Sequence, residues 1–256
     1  MRENLLVVEG LCKHFAGVVA LDNFSCVITG GEIVGLIGPN GAGKTTLFNA
    51  ITGFLSLDHG TIRFQGEDLT HQSPAKIASC GIARTFQRLR LIGQISVLDN
   101  VLLAFPRQPG EQLFNAVFHH QISQAQEWHN RQHAIHLLDE AGLANKTEVP
   151  AKALSYGQQK LLSLVCCLAR DARLLLLDEP VAGVAPHMVD KTLSLIKDLI
   201  KEQSNHKRSV IIIEHDMEVI DQVCQRLIFI DAGTKICEGS PQAVRNDPRV
   251  IEAYLG

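Results

Sequence analysis

Ile33-Val34-Gly35-Leu36-Ile37-Gly38-Pro39-Asn40-Gly41-Ala42-Gly43-Lys44-Thr45-Thr46 is the stretch that decides the fold. Its first five residues form an apolar run of strand length. The next eight fit G-x-x-x-x-G-K-[ST] and open onto a helical pattern, the strand–loop–helix setting in which that pattern makes a phosphate-binding loop. Glycines let the backbone wrap an anion without Cβ clashes, and the N–H groups that begin the helix face it where the macrodipole favours negative charge. In such a loop Lys44 reaches the β- and γ-phosphates of a nucleotide and the Thr45 hydroxyl serves Mg²⁺.

Working outward, two further apolar runs resemble the first: RLLLLDE at 173–179 and SVIIIEH at 209–215. Near-continuous Val, Ile and Leu marks strands buried on both faces, so these three are expected to form the centre of a parallel sheet. Shorter candidates at 5–10, 24–29 and 61–66 read as an N-terminal antiparallel layer, with a turn expected at Asp58-His59-Gly60. From about 71 to 170 the strand signal weakens and helical periodicity takes over. The expected fold class is therefore α/β: a P-loop NTPase parallel sheet core (1–70 and 171–256), an N-terminal antiparallel β layer, and an inserted helical subdomain (71–170). Gly53 is expected to end the first helix, Ser96 with Asp99 to open another, and Pro186 and Pro241 to stand in first turns.

The apolar strands end in chemistry. Asp178 closes Leu174–Leu177 where P-loop enzymes carry a metal-holding aspartate, and Glu179 follows where it can polarise an attacking water. The strand at 209–213 delivers Glu214 and His215 to the same carboxyl edge, where ligands of such sheets bind.

Composition limits the partners. With 46% hydrophobic and 20% charged residues the chain is globular rather than disordered, and its net charge of −3 supplies no field for non-specific nucleic-acid binding. No apolar stretch reaches the 18 residues needed to cross a bilayer, and the first residues lack a signal-peptide pattern, so a cytoplasmic location is expected. Seven cysteines without C-x-x-C read as reduced thiols. His129, His133 and His136 would share a helix face in the Gln- and His-rich segment 105–135. With no acidic or cysteine ligand at matching spacing, a solvated face accounts for them.

The ordered set of P-loop, Gln87 in RTFQ, Leu154-Ser155-Tyr156-Gly157-Gln158, LLLLDE and Glu214-His215-Asp216 resembles the nucleotide-binding subunit of an ATP-binding cassette transporter, over essentially the whole chain. The resemblance implies ATP and Mg²⁺ as ligands, with Gly38, Pro39, Asn40, Gly41, Ala42, Gly43, Lys44, Thr45 and Thr46 around the phosphates and Phe15 stacked on adenine. It implies Thr45, Gln87 and Asp178 at the metal, Glu179 as general base, and His215 at the γ-phosphate. Ser155, Gly157 and Gln158 would cap the nucleotide of a second ATPase subunit in a head-to-tail dimer. Membrane-spanning permease subunits and, through them, a substrate-binding protein are the other implied partners, which puts the chain on the cytoplasmic face of a membrane.

Two departures narrow the resemblance. Tyr156 replaces the first glycine of the usual LSGGQ, as in ATPases of branched-chain amino acid importers. Ala185 stands after Glu179 where many members carry Asp. GIARTFQRLRL (81–91) and the tail NDPRVIEAYLG (246–256) resemble the longer of the two ATPases of those importers. Urea or amide importers, a lipopolysaccharide-type extractor and a soluble cassette ATPase remain alternatives. A GTPase is disfavoured because Asn145-Lys146-Thr147-Glu148 fails NKxD.

Overall fold

Ile33–Ile37 (β3), Leu174–Asp178 (β7) and Ser209–Ile213 (β8) are buried at every residue, the reason they read as unbroken apolar runs. In the computed structural model, which describes residues 3–87, 89–106, 120–201 and 208–255, β8 lies between the other two and pairs in parallel with both. Ile82–Arg84 (β6) extends the sheet beyond β7. Arg226–Asp231 (β9) runs parallel to β3, and Thr234–Gly239 (β10) pairs antiparallel with β9. The order is β10-β9-β3-β8-β7-β6.

Asn4–Phe15 (β1), Val18–Thr29 (β2), His59–Phe64 (β4) and Glu67–Asp68 (β5) form the antiparallel sheet, ordered β2-β1-β4-β5. The expected turn at 58–60 is not a turn: His59 and Gly60 already belong to β4. Gly60 (φ +98°) is required because a Cβ there would sit 2.5 Å from the Gly10 carbonyl, at the bulge where the β1–β4 register shifts.

Lys44–Ile51 (α1) completes this core. Its Leu47, Phe48 and Ile51 share one buried cluster with Leu6, Phe24 and Phe64 of the antiparallel sheet and Leu36, Leu176 and Ile211 of the parallel one. Truncating a fully buried phenylalanine such as Phe48 to alanine costs about 3–5 kcal/mol, so the phosphate-loop helix is anchored from below. Gly53 (φ +71°) follows the helix as expected.

The chain divides into two compact units. The first holds both sheets: Met1–Arg84, Arg173–Glu179 and Ile196–Gly256. The second is Thr85–Ala172 with Pro180–Leu195. Residues 71–84, assigned from sequence to the helical segment, thus lie in the sheet unit, because Pro74–Ser79 (α2) leads into β6. Residues 180–195, assigned to the core, lie in the second unit.

Within the second unit Val97–Leu102 (α3), His120–Glu140 (α4) and Tyr156–Leu168 (α5) contact one another. Ser96 accepts from the Asp99 N–H and opens α3. Asn100 is buried but satisfied, accepting from the Ile92 N–H and donating to the Ile92 and Ser96 carbonyls. Residues 107–119 of the Gln- and His-rich segment lie outside the described residues. Along α4, His133 packs its ring at a tilt of 60° to that of Phe105 and His136 meets Glu140 at 3.5 Å, and among the described residues no group of three or more ligands could hold a metal. Pro186–Lys201 (α6), Met217–Val223 (α7), Pro241–Arg245 (α8) and Pro248–Leu255 (α9) complete the helices, with Pro186 and Pro241 in first turns. All seven cysteines are free, and burial pushes the thiols of Cys26, Cys167 and Cys224 up to about 12.

Candidate functional site

The loop between β3 and α1 is shaped by contacts only glycine allows. A Cβ on Gly38 would lie 1.9 Å from the Ile230 carbonyl oxygen, and one on Gly43 (φ +104°) 2.4 Å from that of Ala20. Gly43 also offers α1 no side-chain cap, which leaves the N–H groups of the first helical turn for an external acceptor. Pro39, Asn40, Gly41 and Ala42 form the crest, with Asn40 and Gly41 exposed and Ala42 buried. Thr45 is exposed and Thr46 half-buried at the helix start.

Lys44 is only 7% exposed. Its Nζ donates to the carbonyls of Gly38 at 2.6 Å and Pro39 at 2.8 Å, folding the ammonium back across its own loop. Burial lowers its pKa from the ordinary lysine value, and the carboxylates of Glu179 and Asp178 oppose that shift. A buried cation with one donor to spare beside an open helix N-terminus suits a polyanion.

The two acids occupy the edge of the same sheet. Asp178, the last residue of β7, is 6% exposed and ion-paired with Arg84 at 3.1 Å. Glu179 has left-handed backbone (φ +49°), and its Oε1 lies 3.2 Å from Nε2 of His215, two residues beyond the end of β8. Lys44, Asp178, Glu179 and His215 are thereby gathered at the carboxyl ends of β3, β7 and β8, the edge where ligands of parallel sheets bind. Phe15, at the end of β1 in this unit, is 44% exposed, with the Lys13 Nζ 5.5 Å from its ring centroid.

The remaining sequence-selected residues lie in the second unit. Gln87 is exposed. Ser155 caps α5 in a full capping box: its hydroxyl accepts from the Gln158 N–H at 3.4 Å, and Gln158 Oε1 accepts from the Ser155 N–H at 3.1 Å. Gly157 is buried, and a Cβ there would meet the Met188 sulfur at 3.2 Å, so this glycine serves close packing on α6. The exposed Tyr156 ring leans over Gly183 and lies 5.4 Å from the Lys160 ammonium, which donates to the Ala182 carbonyl. Tyr156 thus braces the loop after Glu179.

Arg84 was not selected from sequence. Its one visible signal is an arginine closing the short apolar stretch Ile82-Ala83.

Comparison with known proteins bears on the family and the fold. The family described as "ABC transporter" matches residues 21–182, and the one described as "Branched-chain amino acid ATP-binding cassette transporter" matches residues 234–256. The chain is 36% identical over 256 residues to the high-affinity branched-chain amino acid transport ATP-binding protein BraF of Pseudomonas aeruginosa, covering 100% of this chain and 99% of that protein. It is 34% identical over 252 residues to a probable branched-chain amino acid transport ATP-binding protein, LivG, of Archaeoglobus fulgidus, covering 98% and 95%. Among solved structures, a nucleotide-free ATP-binding cassette from an ABC transporter superposes with TM-score 0.84 at 32% identity, covering 99% of this chain and 100% of that one. An ABC transporter cassette in its ADP conformation gives 0.82 at 30% identity, with 99% of each chain covered.

Proposed function

Because the chain belongs to the ABC transporter family of ATP-binding cassettes, we propose that it hydrolyses ATP to power uptake of branched-chain amino acids. The observation that carries the hydrolytic part is the gathering of Lys44, Asp178, Glu179 and His215 at one sheet edge, with Glu179 held 3.2 Å from His215.

The residues fit MgATP. Lys44 and the N–H groups of the loop and first turn of α1 would hold the phosphates, and Phe15 would stack on the adenine. Thr45 and Asp178 would hold Mg²⁺, which when bound neutralises charge on the β- and γ-phosphates. Glu179 accepts the proton of the attacking water. His215 fixes that carboxylate and presents its ring to the γ-phosphate. Lys44 exchanges its two carbonyl acceptors for phosphate oxygens, so binding unlocks the loop's own internal hook.

The head-to-tail reading is supported by the cap of α5: Ser155 and Gln158 close a capping box on each other with both side chains at the start of the helix, and that turn would face the nucleotide of a second subunit. We assign the working unit as a head-to-tail pair with a second cassette, seated on permease subunits at the cytoplasmic face of a membrane and fed by a substrate-binding protein. Among the described residues no helix is long and apolar enough to cross a membrane.

The test is reconstitution in liposomes with the permeases and partner cassette, measuring ATP-dependent accumulation of labelled leucine and of urea. Leucine uptake is expected. Urea uptake without leucine uptake would move the chain to the amide importers.

A further inference from the structure

Arg84 and Asp178 form the most enclosed ion pair among the described residues of the sheet unit, each side chain 5% exposed. The guanidinium does more than neutralise one carboxylate. Its Nη2 donates to Asp178 Oδ2 at 3.1 Å, while Nη1 donates to Asn49 Oδ1 at 2.7 Å and reaches Thr52 Oγ1 at 3.4 Å. Its carbon lies 5.3 Å from the centre of the Phe48 ring. Asn49 and Phe48 belong to α1, the helix that begins with Lys44 and Thr45. A single planar fork therefore joins β6, the phosphate-loop helix and the aspartate that ends β7.

Fold stability alone is a poor account of such a group. Burying two charges costs several kcal/mol in lost hydration, and apolar replacements of buried pairs are often neutral or stabilising. What a guanidinium provides that apolar residues cannot is geometry: two N–H vectors fixed in one plane, one set for the carboxylate and one for the helix.

We infer that Arg84 is a positioning residue for the Mg²⁺ carboxylate, tying Asp178 to the helix that carries Thr45 so that the two proposed metal-holding groups keep a fixed relation. This rests on the proposed role of Asp178 at the metal. Lysine in place of Arg84 would keep the charge but not the fork, since an ammonium's donors radiate from one nitrogen and cannot span acceptors that two separate guanidinium nitrogens reach.

The experiment uses the full chain and two readouts that do not depend on turnover. The first is affinity for a fluorescent ATP analogue in EDTA; the second is Mn²⁺ affinity, by electron paramagnetic resonance, with a non-hydrolysable ATP analogue bound. Arg84→Lys is expected to weaken Mn²⁺ binding by about tenfold or more, as loss of an outer-shell partner does, while metal-free nucleotide affinity stays within about twofold. Asp178→Asn, the reference variant, should also weaken Mn²⁺. If Asp178→Asn weakens Mn²⁺ and folded Arg84→Lys does not, the inference is overturned and Arg84 is only a structural brace. Equal losses in both affinities for Arg84→Lys would overturn it too, because a distorted loop predicts that pattern. Unchanged Mn²⁺ binding in Asp178→Asn would remove the metal reading and this inference with it. Should Arg84→Lys fail to fold, Asn49→Ala keeps the ion pair and deletes one anchor. It should weaken Mn²⁺ by about threefold, and no change would count against the inference.

Discussion

Glu179 and His215 meet at 3.2 Å across the ends of two neighbouring parallel strands, and the backbone that makes this possible is strained. Glu179 adopts φ +49° while its N–H still donates to the Ile213 carbonyl at 2.9 Å, continuing the β7–β8 ladder by one bond. A non-glycine residue in the left-handed region costs on the order of 1–2 kcal/mol and persists only where its surroundings enforce it. Here the ladder bond and the imidazole aim the carboxylate.

The first prediction follows from that aim. His215→Ala removes the group that orients Glu179 but leaves the phosphate loop untouched, so ATP affinity should be nearly unchanged. Displacing a reacting group by about 1 Å can cost about 10²-fold, and a kcat loss of that order is expected. Steady-state kinetics on the assembled transporter would show it as a fall in kcat with KM preserved. A comparable rise in KM would show that the His215 contact with the γ-phosphate serves ground-state binding more than it serves the aim of Glu179.

Gly38→Ala should be far more damaging than its one added methyl group suggests. The new Cβ would sit 1.9 Å from a backbone oxygen of β9, which cannot swing away as a side chain could. About 3 kcal/mol or more of destabilisation is expected, together with loss of nucleotide binding. Gly41→Ala is the control for space, because nothing lies within 4 Å of a Cβ at that position. Thermal melts of the two variants should rank Gly38→Ala as the less stable.

Much of this was legible in sequence, and the reasons are local. β3, β7 and β8 are buried on both faces and therefore spelled almost wholly in Val, Ile and Leu. The phosphate loop is spelled by residues within eight positions, and the capping box of α5 by residues three apart. β6 was missed because three residues carry no pattern. β10 was missed because its residues are mostly half-buried on a sheet edge. Gly60 was misread because a positive φ imposed by close approach to Gly10, 50 positions away, looks the same in sequence as one imposed by a turn. Arg84 was passed over for a related reason: its partner is Asp178, 94 positions along.

Ala185 offers a gain rather than a loss. It immediately precedes Pro186, the first residue of α6, and its carbonyl accepts from the Met188 N–H at 2.8 Å, but its methyl side chain cannot accept from the helix. Ala185→Asp supplies that acceptor and places negative charge at the positive end of the dipole. Stability should rise by about 0.5–2 kcal/mol, read as a higher Tm. An unchanged or lower Tm would show that the loop after Glu179 cannot seat the cap.

A pH dependence is expected from Glu32. Burial alone would push its carboxyl up, but hydrogen bonds from Arg226 and from the Thr29 N–H, with the guanidinium charge, outweigh burial and hold its pKa below the ordinary glutamate value. A depressed folded-state pKa contributes stability that is complete above the unfolded value and is lost as pH falls through the folded one. Glu32→Gln should therefore destabilise the chain by about 1–2 kcal/mol at pH 7, a figure reduced because Arg226 is partly exposed. In urea titrations the gap between variant and wild type should narrow progressively below about pH 4.5, the ordinary value. A gap constant from pH 7 to pH 3 would mean that the hydrogen bonds, not the charge, hold this corner.

The assignment of Glu179 as the base that takes the proton of the attacking water is the centre of the account, and single-turnover hydrolysis by Glu179→Gln in the assembled complex tests it most directly. The amide keeps the shape of the carboxylate and cannot accept that proton, while Lys44, Thr45 and Asp178 still bind MgATP. Hydrolysis should fall by about 10²–10⁴-fold, equivalent to roughly 2.7–5.4 kcal/mol of transition-state stabilisation, with ATP affinity retained and the ATP-bound pair of cassettes accumulating. Hydrolysis at a near-normal rate in Glu179→Gln would contradict the account and place the base elsewhere.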